Sequence, residues 1–415
     1  MLLAIASPAF GQSEGVIPNS RVQFDFVNPG ARSLSMGGAF VGLPDDATAA
    51  FTNPAGLLLI TRKEVSIEGR GWSFNTPFTA GGHVDGEPTG LMFDTVPGVV
   101  QEVSRTTTAG LAFISFVYPK TRWAAAAYRQ QLSDFRFRGE NDGLFLGNPI
   151  EARTRPSQDS VDLEIARYGL AGAYKISERL SLGGGLVLYD FKLNATSTVF
   201  GLGSIPEQFY APPDFTAPDP DILRQTGHES RLAATLGLTG AITNRINLGA
   251  VFHRGTQFDV HGASNALTGI FVIPDTFGFG VSVRPFEAFR VGVDYDRVEY
   301  SELKPVGYAF FDSTQLRAAD ANEVHIGAEY VFVSWPGSPS IRGGGWYDPD
   351  HDLRYTASNS ATTTALITSA FFQPGKNVVH GSIGAGVAIG PTVINAAGDF
   401  SSRTKTFSLS AVLRF

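Results

Sequence analysis

A chain of 415 residues with a net charge of −7 at pH 7, no cysteine, 47 glycines and 32 phenylalanines excludes several classes at once. No basic face is available to neutralise phosphates, which sets nucleic acid aside as a partner, and the absence of thiols removes disulfide frameworks, thiolate metal sites and cysteine nucleophiles. Low charge (17%), a mean hydropathy of +0.02 and abundant glycine suit many strands with alternating faces rather than a helical protein.

The chain opens MLLAIASPAFGQ, an apolar run followed by small residues, with Ala9 and Gly11 at the −3 and −1 positions of a cleavage before Gln12. Residues 1–11 therefore read as the tail of a signal peptide; with a charged n-region missing, a plain apolar N-terminus is the alternative. No other stretch approaches the roughly 18 apolar residues of a transmembrane helix, so a membrane-spanning form of this chain is a barrel. Residues 12–62 are the next unit, and 30–57 within it read GARSLSMGGAFVGLPDDATAAFTNPAGL. This is too polar for a membrane helix and too broken by glycine for an ordinary strand, and we expect it to plug a lumen formed by residues 63–415. Gly37, Gly38 and Gly42 permit close backbone contacts, and Pro54 fixes a turn. The segment is either a hatch that moves or a permanent plug whose glycines fit a tight lumen. Asp45 and Asp46 are candidates to pair with lumen-facing Arg231, Arg284 or Arg290; the alternative is that they are solvated.

From Lys63 onward the commonest pattern has period two. Leu232, Ala234, Leu236 and Leu238 oppose Arg231, Thr235, Gly237 and Thr239. Phe277, Phe279, Val281 and Val283 oppose Thr276, Gly278, Gly280 and Ser282, and Val324, Ile326, Ala328 and Tyr330 oppose Glu323, His325, Gly327 and Glu329. Such segments fall at about 63–74, 103–118, 121–137, 160–174, 179–199, 228–242, 244–260, 273–284, 287–301, 320–334, 339–348, 376–390, 391–399 and 404–415. A soluble sandwich alternates too. Two features favour a barrel: the polar faces are rich in glycine and in both signs of charge, and short turns alternate with long polar loops (75–102, 138–159, 200–227, 261–272, 302–319, 349–376). The fold expected is all-β, a transmembrane antiparallel β-barrel of about fourteen strands with its N-terminal segment in the lumen. The last strand, TKTFSLSAVLRF, sets Phe407, Leu409, Ala411, Leu413 and the terminal Phe415 on one face, as the final strand of an outer-membrane barrel does.

Three stretches carry a family resemblance: DDATAAFTNPAGL, with Asn53, Pro54 and Ala55; IPDTFGFGVSVRPFEAFRVGVDYDRVEYSEL at 273–303; and NEVHIGAEY with IRGGGWYD across 322–348. Together they resemble the FadL/TodX-type family of outer-membrane transporters of long-chain fatty acids and other hydrophobic compounds, over essentially the whole mature chain. The resemblance implies a channel in the bacterial outer membrane for passive uptake of a hydrophobic small molecule, with no cofactor and no metal. Capture would occur in a groove between the third and fourth long loops, and a tighter lumen pocket would follow. Release would come by movement of a hatch, with Gly37, Gly38, Asp45, Asp46, Asn53, Pro54 and Ala55 as its motif residues, or sideways through a gap beside a kinked strand. It also implies a monomer surrounded by outer-membrane lipid and lipopolysaccharide, inserted by the barrel-assembly machinery. Candidate capture residues are Phe200, Phe209, Tyr210 and Phe215 on the third loop and Leu267, Ile270 and Phe271 on the fourth; packing onto the barrel rim is the competing reading.

No catalytic set emerges. SELK at 301–304 fits a Ser-Lys pattern without its companion motifs, and the histidines lack ligand spacing, so His325 reads as a wall residue. DPDHD at 348–352 alternates carboxylates like the start of a calcium loop but carries Leu353 where that loop needs glycine. The chain is not expected to be an enzyme. A barrel adaptor for protein secretion or surface attachment shares this type of N-terminus and is the alternative function.

Overall fold

The structure, a computed structural model, describes residues 26–147, 152–202, 210–262, 267–303, 313–357 and 362–415. The expected leader at 1–11 and the candidate Phe209 lie outside the described residues. Fourteen wall strands run through the described residues: β1 Glu64–His83, β2 Val99–Pro119, β3 Trp123–Asn141, β4 Ser157–Ser177, β5 Leu180–Val199, β6 Asp221–Thr243, β7 in two pieces (Ile246–His253, Thr256–Gly262), β8 in two pieces (Leu267–Ile273, Thr276–Phe286), β9 Phe289–Val298, β10 Ala321–Val331, β11 Ser340–Asp348, β12 Val378–Ile389, β13 Thr392–Phe400 and β14 Thr404–Arg414. Each pairs antiparallel with its chain neighbours, and β14 returns to β1 in a register from Glu64↔Arg414 to Phe74↔Thr404. The ring is therefore closed.

The wall is turned inside out relative to a soluble protein. Leu170, Leu186, Leu232, Leu236, Phe279, Ile326, Ile383 and Leu409 are exposed on its outer face. Inward neighbours such as Thr235, Ser282, Asp294, Glu323, Glu329 and Ser408 are buried. An apolar belt of this extent is stable against hydrocarbon rather than water, and closure follows because lipid cannot satisfy the backbone groups of a free sheet edge.

Two expectations are corrected. The segment 75–102 is not all loop, because Thr76–Gly82 pair with Val99–Ser104 in spite of Pro77 and two glycines. Nor is 261–272 a loop: the upper piece of β7 pairs with the upper piece of β8 from Thr256↔Ile273 to His261↔Leu267. Its period-two run, Phe271 and Ile273 against Ile270 and Val272, is short enough to read as a loop end.

Residues 26–61 lie inside the ring. They form α1 (Ala31–Ser35), α2 (Ala49–Thr52) and a 3-10 turn at Pro54–Leu59, with Met36, Ala39, Phe40, Ala47 and Leu57 fully buried. The wall meets this plug with glycine. A Cβ on Gly249 would stand 2.1 Å from the Val41 carbonyl, on Gly280 2.3 Å from Gly42 N, on Gly327 2.2 Å from the Met36 carbonyl, and on Gly183 2.2 Å from Ala55 N. The plug backbone therefore rests directly on the wall backbone, a distance no side chain allows. On the plug side, Gly37 adopts φ +64° and its missing Cβ would stand 2.6 Å from Gly345 N.

Gly37→Ala should lower the thermal unfolding temperature of the detergent-solubilised protein by more than Gly90→Ala does. Gly90 shares the positive φ (+74°) but has open space around it. Both changes incur backbone strain of about 1–2 kcal/mol, and only the first forces plug and wall apart.

Candidate functional site

The plug is held by charge as well as by contact. Arg32 bonds Asp45 at 2.5 Å and Glu329 of β10 at 2.9 Å and lies 3.4 Å from Asp46; Arg290 of β9 also pairs with Asp45. Glu329 is shared with Arg342 of β11 at 2.7 Å. Of the three arginines expected to meet Asp45 or Asp46, Arg290 does so. Arg231 pairs instead with Glu229 and Asp259, and Arg284 donates to the Asn244 carbonyl at the short-turn end. Arg32, inside the plug, was missed because nothing in its spacing marks it. Asp46 accepts from Thr48 N (2.9 Å) and Thr48 Oγ1 (2.6 Å), closing the turn into α2. Asn53 accepts from Ala55 N, capping the turn that Pro54 begins, and donates at 3.0 Å to the Leu238 carbonyl of β6. Wall groups complete the seat: Asp294 accepts from Val41 N at 2.6 Å, Glu68 from Gly30 N at 2.7 Å, and His325 Nδ1 lies 2.6 Å from the Gly37 carbonyl oxygen. Gly38 sits against the same imidazole, where a Cβ would come within 3.0 Å of Nδ1.

The wall is forked beside the plug. β2 and β3 pair only from Phe113↔Gln130 to Pro119↔Ala124, although both strands run on toward the long-loop end. The fork coincides with two buried bulge residues. Ala112 is skipped in the register of β2 with β1, and Leu132 in that of β3 with β4. Each bulge bends its own strand. Above the fork, side chains replace the ladder: Thr106 Oγ1 donates to the Arg136 carbonyl (2.9 Å), Arg138 N donates to Ser104 Oγ (3.2 Å), and Arg129 donates to the Leu111 carbonyl.

A second interruption lies between β6 and β7. Pairing runs to Thr235↔His253 and resumes only at His261↔Thr226, because the upper β7–β8 hairpin bows into the lumen. Asp275 pins the bend, accepting from Gly255 N (2.7 Å) and Arg254 (2.5 Å). The bowed hairpin carries Phe258, Val260, Phe271 and Ile273 into a buried cluster with Leu163 of β4 and Tyr189 and Phe191 of β5. Phe271 is therefore a lumen core residue rather than a loop residue. Phe200 is buried edge-on to Phe215 (5.3 Å), Tyr210 stacks at 6.3 Å on Phe145, and Ile270 packs half-buried beside Val272 and Val298; among the described candidates only Leu267 is well exposed. Leu91, Met92 and Val96 on the first long loop are also exposed apolar side chains at this end, and Phe93 N donates to the Tyr210 carbonyl. Their sequence context, LMFDTV among polar residues, is a signal that could have identified them.

Two small cavities flank the plug and share Phe26, Val27 and Glu323. The larger runs from Arg70 and Trp72 of β1 to Leu132–Asp134 at the β3 bulge and across to Trp346, His380 and Asp399. Its volume, about 70 Å³, is roughly half that of the 150 Å³ apolar cavity that accommodates benzene. The second holds Arg167 of β4, which is buried and has no carboxylate within ion-pair distance among the described residues. Its guanidinium faces the rings of Tyr189 (5.0 Å), Phe51 (5.2 Å) and Phe26 (5.7 Å). The carboxylates at 348–352 are taken by cations of the chain itself: Asp348 by His351, Asp350 by Arg354 and Asp352 by Arg403.

No family model and no curated protein sequence matches this chain. Solved structures do match. A FadL homologue of Pseudomonas aeruginosa superposes with a TM-score of 0.62 at 15% identity, over 95% of this chain and 99% of its own. The toluene transporter TbuX of Ralstonia pickettii gives 0.59 at 17%, and TodX of P. putida gives 0.60 at 15%, each over 94% of this chain and 99% of its own. The fold is that of the FadL-type barrels. At such identities the likeness establishes architecture.

Asp45→Asn should leave Arg32 and Arg290 short of a counter-charge and cost about 2–3 kcal/mol of plug seating. The expected readout is increased leakage of small polar solutes through reconstituted vesicles, with Arg284→Gln unchanged. A pH effect is expected in the loop after β11. Burial disfavours the His351 cation, but Asp348, at 3.2 Å, and Asp352 outweigh this and push its pKa up to about 9. Because the folded value is raised, the stabilisation is complete below the ordinary histidine value near 6.5 and is lost as pH rises through about 9. Hydrogen-exchange protection at 349–357 should fall across that window, and His351→Gln should abolish the step.

Proposed function

We propose that this protein is a channel of the bacterial outer membrane that admits hydrophobic small molecules passively, of the class of long-chain fatty acids or aromatic hydrocarbons. The observation that carries this reading is the fork between β2 and β3. The axial route is filled by the plug and the bowed hairpin, while a break in the wall ladder stands beside a lumen cavity. A molecule that prefers hydrocarbon to water gains by leaving sideways into lipid, and a polar solute does not. Support for transport over secretion adaptor comes from neighbours described as a FadL homologue and as toluene transporters.

In this reading Leu91, Met92 and Val96, with Leu267 and the Phe200–Phe215 pair behind them, form the apolar entrance. The segment 30–57, with its Gly37, Gly38, Asp45, Asp46, Asn53, Pro54 and Ala55 contacts, is the hatch. Arg167 selects the head group. A buried guanidinium without a counter-ion is costly, and the aromatic faces compensate only in part. A carboxylate arriving at the end of an apolar chain supplies what is missing. The protein acts alone in the membrane, through binding and diffusion rather than bond chemistry.

Vesicles carrying the intact protein should take up a labelled long-chain fatty acid several-fold faster than empty vesicles. Deletion of 30–57 should add leakage of small polar solutes, and unchanged polar permeability would remove the hatch reading. Arg167→Leu should weaken fatty-acid binding about tenfold, as loss of one charge-assisted contact does, and leave toluene binding unaltered. Equal effects on both ligands would make Arg167 a packing residue.

A further inference from the structure

The larger cavity has a polar feature, distinct from Arg167 in the smaller one, that the transport reading does not use. His325, Trp346 and His380 stand at one level on β10, β11 and β12, where His325 pairs across to Trp346 and Trp346 to His380 in the strand registers. The indole is held between the two imidazoles, at 5.2 Å and 10° to His325 and at 3.8 Å and 24° to His380. With both faces covered, its edge is what remains for a ligand. That edge carries Nε1, a buried donor with no hydrogen-bond partner among the described residues. His380 Nδ1 lies 2.7 Å from Asp399 Oδ1, which anchors the second imidazole, while Asp399 Oδ2 is a buried acceptor with no partner among the described residues. Asp399 is 2% exposed. Trp346, His380 and Asp399 all line the cavity that reaches the β3 bulge.

We propose that this cavity is a subsite for a hydroxyl group on a hydrophobic ligand. The proposal rests on the transport reading and narrows its substrate class. A hydroxyl is the small group that meets both needs at once, donating its proton to Asp399 Oδ2 and accepting from Trp346 Nε1. A hydrocarbon satisfies neither atom, and a carboxylate opposes Asp399. A donor and an acceptor left buried without partners are each destabilising, so the ligand that completes them gains specificity over its analogue lacking the group. The cavity is too small for a ring and a chain together. It holds the hydroxyl-bearing end, and the rest of the molecule extends past Leu132 toward the fork or past Phe26 toward Arg167.

Two sources share this chemistry, a hydroxylated fatty acid and a phenol, and matched pairs separate them. The full-length protein in detergent is titrated calorimetrically with a hydroxylated long-chain fatty acid and its unsubstituted counterpart, and with an alkylphenol and toluene. The expected result is a five- to tenfold advantage, roughly one hydrogen bond's worth, for the hydroxylated member of one pair. Which pair shows it names the source. The advantage should vanish in Trp346→Phe, which keeps a ring between the imidazoles, and independently in Asp399→Asn, with thermal unfolding used to confirm that each variant is folded. Binding without any hydroxyl advantage, or an advantage that survives both substitutions, overturns the subsite and leaves the transport reading standing. Failure of all four compounds to bind overturns both.

Discussion

Backbone resting on backbone is the constraint from which the rest of this molecule follows. A plug that touches the wall through side chains would need a wider ring; here wall glycines at 183, 249, 280 and 327 bring the plug main chain against the sheet. The contact gives high packing density without side-chain entropy loss, and it leaves the plug's own polar groups to be met by the wall. Asp294, Glu68, Leu238 and His325 meet them through hydrogen bonds to or from plug atoms. The same geometry makes the seat intolerant of a single added methyl group.

A barrel that must exclude free edges carries two interrupted ladders, and their chemistry differs. At the β2–β3 fork the freed backbone groups are met by Thr106, Ser104 and Arg129, side chains able to let go. At the β6–β7 interruption the departing hairpin is anchored by Asp275 and by a buried aromatic cluster around Phe191, Phe258 and Phe271. The first is joined by exchangeable polar contacts and the second by apolar packing. This contrast is why the fork, rather than the bowed hairpin, carries the proposed exit.

The lumen's electrostatics follow the same division of labour. Most inward charges are paired within the wall or between wall and plug, as at Arg32, Asp45, Glu329 and Arg342. Arg167, Trp346 and Asp399 depart from that rule, each lining a cavity with bonding capacity unused. Other buried side chains, among them Ser66, Gln130 and Thr239, also carry an unpaired atom; what sets Arg167, Trp346 and Asp399 apart is the cavity beside them, where a ligand's head group changes the balance.

Much of the wall was legible in the chain alone. Period-two alternation over long runs such as 231–242 and 323–332 places outward and inward residues without ambiguity, since a one-residue slip would reverse every face. Turn asymmetry and polar faces rich in glycine and charge then favour a membrane barrel over a sandwich, and the glycine-broken segment 30–57 was expected inside it. Tertiary structure decided what depends on residues far apart in sequence. The bulges at Ala112 and Leu132 have no local signature, and Phe271 left the loop for the core because the hairpin bends at Asp275. Arg290 was separable from Arg231 and Arg284 only once the barrel had closed. Alternation specifies which face a side chain occupies, whereas partners across a lumen are set by strand stagger and closure, which no local pattern records.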